Sequence, residues 1–239
     1  MQNIRLDYYA ARLCMAAATD EPLVRLKNLM DNHIESVDSA GVRVYVGETA
    51  SHNVAVFHTT QDFGRVTFKQ LMKSIKAAPS ERKDNPYQIA KDLMAKWEFV
   101  SPAAFSAVNT IHYTQAQDEE FSKPWIFTGH GVGGQLAQLA GATFMPAQLI
   151  TFGSPNAGGD LLLEAVDDAC AWTRWEFVGD WSAKLPLRLG NTKGGCSRFI
   201  TADGMLETDP KMTFRRTQDW FQREPMNSYH DWIEDALVN

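Results

Sequence analysis

Six residues, Gly129-His130-Gly131-Val132-Gly133-Gly134, stand between the apolar segment PWIFT and an alanine-rich amphipathic segment, and their types suit two different chemistries. Gly129, Gly131 and Gly134 satisfy G-x-G-x-x-G, in which glycines let backbone approach the pyrophosphate of a dinucleotide at a helix N-terminus. With serine at 131 the same letters would form a nucleophile elbow. That strand-to-helix turn is sharp and strained, and it demands small residues two places before and two places after the nucleophile. Gly129 and Gly133 occupy those places, and Gly134 suits close packing of the helix that follows.

Residues further along the chain separate the two readings. A dinucleotide site needs an acid at the end of the next strand, where a carboxylate accepts hydrogen bonds from the ribose. Here that segment ends Ile150-Thr151-Phe152-Gly153, and the nearest acid downstream is Asp160. The fingerprint also normally opens a domain, whereas this one follows more than half the chain, so no cofactor is expected. An elbow requires an acid and then a histidine later in the chain, each delivered beyond a strand end. Asp180 follows the segment WEFVG and His230 follows a loop near the C-terminus, with Asp160 and Asp167 as fallback acids. His130 is expected to pack and hydrogen-bond beneath the turn, and His58 to be structural.

The elements that must carry these residues follow from periodicity. Leu6, Tyr9, Ala10, Leu13, Ala16 and Ala17 recur at helical spacing and define one face of an N-terminal helix. VRVYV (Val42–Val46) and NVAVFHTT (Asn53–Thr60) are β-branched segments separated by a turn-forming connection, which predicts a hairpin. Phe63 to about Gln117 reads as helical, bounded by Pro79, Pro86 and Pro102, with SERKDNP (Ser80–Pro86) as an exposed loop. Beyond it PWIFT, VGGQLAQLAGATF, AQLITFG, GGDLLLEAVDDA and AWTRWEFVG alternate strand and helix, as a parallel α/β sheet requires. A short helix near Asp231–Val238 closes the chain. One domain is expected over residues 1–239, mostly parallel in its central sheet, with helices on both faces.

Composition excludes several classes. A net charge of -6 gives no cationic excess for phosphate binding, so no nucleic-acid partner is expected. No apolar run reaches membrane-spanning length, and Arg5, Asp7 and Arg12 interrupt any signal-peptide core. Cys14, Cys170 and Cys196 form no CxxC pair, and the six histidines show no ligand spacing, so neither a disulfide framework nor a metal site is predicted. A cytoplasmic location is the expectation from these features, with secretion as the alternative.

Five blocks in order resemble the class 3 lipases, the fungal-lipase-like branch of the α/β-hydrolases. TGHGVGGQLAQLA is similar to that family's TGHSLGGALA block, TFGSPNAGG to its TFGxPRxG turn, and DWSAKLP to its DxVxxLP segment. VAVFHTT resembles the VVAFRGT strand that carries an oxyanion threonine, and HDWI sits like the terminal HxxY. The resemblance spans about Val42 to Ile233. It implies an α/β-hydrolase fold, an acid and base at Asp180 and His230, and an oxyanion hole made by Thr60 and the Val132 N–H. It also places a lid or cap-like region at 61–117, in which the basic amphipathic stretch Phe68–Ala77 is either an ordinary helix on the sheet or a transient contact with a lipid surface.

Gly131 then stands where the attacking serine belongs. Glycine has no oxygen to deprotonate, so no acyl-enzyme forms through it. The expected function is that of a carboxylic-ester hydrolase scaffold acting on small or lipid esters, inactive or very weak in this form. The alternative is a pseudo-enzyme that kept the fold for binding. Lesser departures from the family pattern are Thr59 for glycine, Val132 for leucine and Asn156 for arginine.

Overall fold

The structure is a computed structural model, and it describes residues 4–30, 35–39, 41–59, 85–116, 123–177, 194–201, 204–208 and 226–238. The expectations for Thr60, for Phe68–Ala77 and for Asp180 fall outside these residues. Among these residues eight strands form one sheet whose order in space is their order in the chain: β1 (Glu35–Ser39), β2 (Val42–Glu48), β3 (Asn53–Thr59), β4 (Trp125–His130), β5 (Gln148–Phe152), β6 (Ala171–Phe177), β7 (Cys196–Ile200) and β8 (Leu206–Thr208). The pairs from β3 to β7 are parallel, while β1–β2, β2–β3 and β7–β8 are antiparallel. The predicted hairpin is β2–β3. The two β-branched, almost wholly buried segments pair Val42 with Thr59 and Glu48 with Asn53.

Monotonic strand order decides where the helices go. Parallel crossovers are right-handed, so successive crossovers that always step the same way fall on one face of the sheet. Helices α3 (Lys91–Ala116), α4 (Val132–Phe144) and α5 (Asp160–Ala169) lie in the β3–β4, β4–β5 and β5–β6 connections. All three pack into one core with Ala55, Phe57, Phe127 and Leu149. Among the described residues the opposite face carries no crossover helix and is covered by α1 (Ile4–Ala17), α2 (Pro22–Lys27) and α6 (Met226–Val238) over Val54, Val56, Ile126, Ile150 and Phe152.

The structure corrects the sequence reading in three places. Pro102 does not end a helix but lies inside α3. Its ring is exposed, so the hydrogen bond it removes is on the solvent side, while Val100 and Ala104 on either side stay in the core. The buried face of α1 is rotated from the predicted one: Asp7, Ala11 and Cys14 are buried, while Leu6 and Tyr9 are only half-buried. The last helix starts at Met226, so His230 lies within a helix rather than after a loop.

Asp7 is tolerated in that face because Arg198 of β7 meets it at 2.5 Å, both side chains being almost wholly buried. Burial nevertheless pushes the Asp7 carboxyl up to about 6, against the opposing pull of Arg198 and the Trp175 indole.

Candidate active site

The turn at 131 is a single residue. β4 ends at His130 and α4 begins at Val132, and Gly131 between them holds φ 57° and ψ -122°. Only glycine adopts that region freely; another residue there stores strain of about 1–3 kcal/mol. The Gly131 N–H donates to the Phe152 carbonyl at 3.0 Å, and the Gly131 carbonyl accepts the Gln135 N–H at 3.2 Å to start the helix. One residue thereby joins two strands and a helix.

The neighbouring glycines explain how the helix can turn back so tightly. A Cβ on Gly129 would lie 2.5 Å from the carbonyl group of Gly133, and a Cβ on Gly134 would lie 2.6 Å from the Ser154 side chain. A Cβ on Gly133 would strike the Phe57 carbonyl in β3. Backbone therefore meets backbone at the first turn of α4. The Val132 N–H sits in that turn, where donors have no carbonyl one turn earlier to bond and the helix dipole is positive. A donor so placed suits a neighbouring negative charge.

A second turn, after β5, is clamped against α4. Gly153, at φ 50°, donates its N–H to the Trp175 carbonyl at 2.9 Å. Gln138 is fully buried; its amide nitrogen donates to Ser154 Oγ and to the Pro155 carbonyl, and its oxygen accepts the Ala157 N–H at 2.8 Å. Gln135 donates to the Asn156 carbonyl at 2.9 Å. From β6, buried Arg174 donates to Asn156 Oδ1 at 2.6 Å and to the Ser154 carbonyl at 3.3 Å, and it pairs with buried Glu176 at 3.1 Å. Asn156, which stands where the resembling motif has arginine, thus receives a guanidinium from a neighbouring strand. Sequence reasoning missed Gln138 and Arg174. A polar residue inside the apolar run Leu136-Ala137-Gln138-Leu139-Ala140 was the available signal for the first.

The predicted residues are only partly assembled by contacts. His130 packs beneath the elbow as expected, its ring edge-on to Tyr229 at 6.0 Å between centroids. Val132 adjoins Gly131. His230 follows Tyr229 on α6, and its imidazole is half-buried against the Tyr8 ring at 5.1 Å, with Nδ1 3.0 Å from Asp231 Oδ1. Tyr8 in turn donates to Glu234 at 2.8 Å. The ligand atoms of His230, Asp231 and Glu234 lie within 4.8 Å of one another, so these three side chains could hold a cation.

Thr60 and Asp180 lie outside the described residues, the first directly after Thr59 of β3 and the second three residues after Phe177 of β6. Of the fallback acids, Asp160 is exposed at the start of α5 and Asp167 accepts the Gly195 N–H at 2.7 Å. His58, opposite Arg43 in the β2–β3 ladder, is held below the ordinary histidine range first by burial and then by the Arg43 charge.

No family model matches the chain, and no curated protein matches it. Solved structures do. Lipase II from Rhizopus niveus is 18% identical with a TM-score of 0.63, covering 82% of this chain and 80% of its own. A fungal lipase solved with an inhibitor, as a model for interfacial activation, is 16% identical with a TM-score of 0.62, covering 95% and 89%. The mono- and diacylglycerol lipase of Aspergillus oryzae is 16% identical with a TM-score of 0.57, covering 95% and 92%. At such identities the likeness establishes the fold. The chain has an α/β-hydrolase fold of the kind seen in fungal lipases, with a mostly parallel sheet covered on both faces.

Proposed function

We propose that this chain is a class 3 lipase-like scaffold for hydrolysis of carboxylic esters, a single domain whose nucleophile position is vacated at Gly131. The observation that carries the reading is the backbone at 131, a left-handed residue alone between a parallel strand and a helix with glycines packed on both sides. Such a turn exists to lift one side chain above the sheet. Here it lifts a hydrogen atom.

In the working version of this site a hydroxyl at 131 attacks the ester carbonyl, and His230 accepts its proton. Asp180 orients the imidazole and stabilises its charge. The Val132 N–H and Thr60 take the oxyanion, and His230 returns the proton to the leaving alcohol. Water then repeats the sequence on the acyl-enzyme. Loss of the nucleophile from such a site costs about 10⁶ in turnover, which leaves this chain inactive or nearly so. Its substrates would be small or lipid esters, with Phe68–Ala77 as the segment that meets a lipid surface.

A second reading is favoured by the His230 ring, which rests on Tyr8 and Asp231. A base no longer needed for proton transfer is free to take a structural place, and the chain would then be a binding or interaction protein on a hydrolase fold. The substitution Gly131→Ser, assayed on p-nitrophenyl butyrate and palmitate, decides between them. Turnover rising by several orders of magnitude supports the hydrolase scaffold. A folded Gly131→Ser protein that stays at background removes it.

A further inference from the structure

We infer that Tyr229 is a positioning residue, which locks the helix bearing His230 to the elbow and to the end of β6; this rests on the hydrolase reading above. Tyr229 is completely buried. Its ring packs edge-on to His130 at 6.0 Å, to Phe152 at 6.0 Å and to Phe177 at 4.7 Å, which are the last residues of β4, β5 and β6. Each of those strand ends serves the site. His130 precedes Gly131, the Phe152 carbonyl holds the Gly131 N–H, and Phe177 opens the run toward Asp180.

The hydroxyl adds a constraint that the ring alone lacks. A wedge of aromatic contacts is broad in direction, whereas a hydrogen bond is narrow in both distance and angle. The Phe177 N–H donates to the Tyr229 oxygen at 3.3 Å, tying the rim of the ring to one backbone amide across 52 residues of sequence. Because His230 is the next residue, any rotation of α6 moves the imidazole with it. A buried tyrosine needs a partner for its hydroxyl, and a phenylalanine would satisfy every ring contact without one. The polar atom therefore serves alignment rather than filling.

The test removes that atom alone. In the chain as it stands, Tyr229→Phe should speed amide hydrogen exchange at Phe177 by about tenfold, the equilibrium worth of one such hydrogen bond. It should also shift or broaden the His230 ring resonances while the melting temperature changes little. In the Gly131→Ser background, Tyr229→Phe should lower kcat by about tenfold to a hundredfold, the scale of a misplaced catalytic group, with KM unchanged. Exchange and ring resonances that match the parent overturn the proposal, whatever the esterase result. So does an unchanged kcat in an active Gly131→Ser protein. If Gly131→Ser is itself inactive, the hydrolase reading falls, and the exchange and resonance measurements alone decide whether Tyr229 aligns His230.

Discussion

The two faces of the sheet hold their helices by different means, although each buries one ion pair, Arg174 with Glu176 and Asp7 with Arg198. On the crossover face α4 comes so close to β3 and β4 that backbone touches backbone, and its polar groups are neutral amides such as Gln138 that clamp the turn after β5. On the other face α1 and α6 stand off on large rings and on charge: Asp7 meets Arg198, Arg198 lies over Trp175 at 5.2 Å, and Trp175 packs on Trp232 of α6 at 5.7 Å. The first face has no room and fixes the elbow by exclusion. The second has room and fixes the histidine-bearing helix by specific partners. The proposed site draws on both, taking the turn at Gly131 from the first and His230 from the second.

The largest expected effect breaks the second face. A buried carboxyl deprived of its partner can neutralise itself by taking a proton, whereas a guanidinium cannot. Asp7→Leu should therefore cost about 3–5 kcal/mol of unfolding free energy at neutral pH. Arg198→Met should cost markedly less, and the double variant should return close to the parent in urea titrations. Equal losses from the two single changes would show that the pair is not asymmetric in this way.

A smaller effect sharpens the first face. Gly133→Ala drives a methyl into the Phe57 carbonyl and should cost about 1–3 kcal/mol or more. Gly141→Ala on the same helix is tight only against the flexible end of Leu149 at 3.2 Å, with Cys170 Sγ and Val166 at ordinary contact distance. There the better helix propensity of alanine, worth about 1 kcal/mol, should offset the crowding. Denaturant midpoints that do not separate these two variants would mean that exclusion does not hold the elbow.

A further effect reads the charge on Asp7 through pH. Its carboxyl in the folded chain is raised to about 6 from an ordinary value of 3.8, chiefly by burial. The folded state therefore binds the proton more tightly, and this group's contribution to stability is complete below about 4 and lost as pH rises through about 6. The stability of the parent minus that of Asp7→Asn should fall between those limits. A difference that rises instead would show Arg198 outweighing desolvation.

These faces also differ in how much of them the sequence discloses. The elbow is written in consecutive letters, because close approach needs glycine at fixed spacing; even the extent of α4 coincides with the segment VGGQLAQLAGATF. The alternation from β4 to β6 is equally local. By contrast Asp7 and Arg198 lie 191 residues apart, and no periodicity predicts that a charged residue on a surface-like helix faces inward to meet another. Tyr229 has no signature, since three strand ends define its environment. Strands β7 and β8 are short and follow a stretch with no alternating pattern, so no local signal marks them. Pro102 misled for a related reason: proline's penalty depends on whether its missing hydrogen bond faces core or water, and that orientation belongs to tertiary structure.

Monotonic strand order leaves one last mark, on the way the molecule is made. Every crossover helix can settle as its strands emerge from the ribosome, at about 5–20 residues per second. The other side must wait. Residues such as Phe152 and Trp175 keep one surface open to solvent until α6, which follows every strand of the sheet, arrives to join α1. Nascent chains stalled before Met226 should therefore expose a sticky apolar plane and recruit chaperones, and release should coincide with emergence of α6.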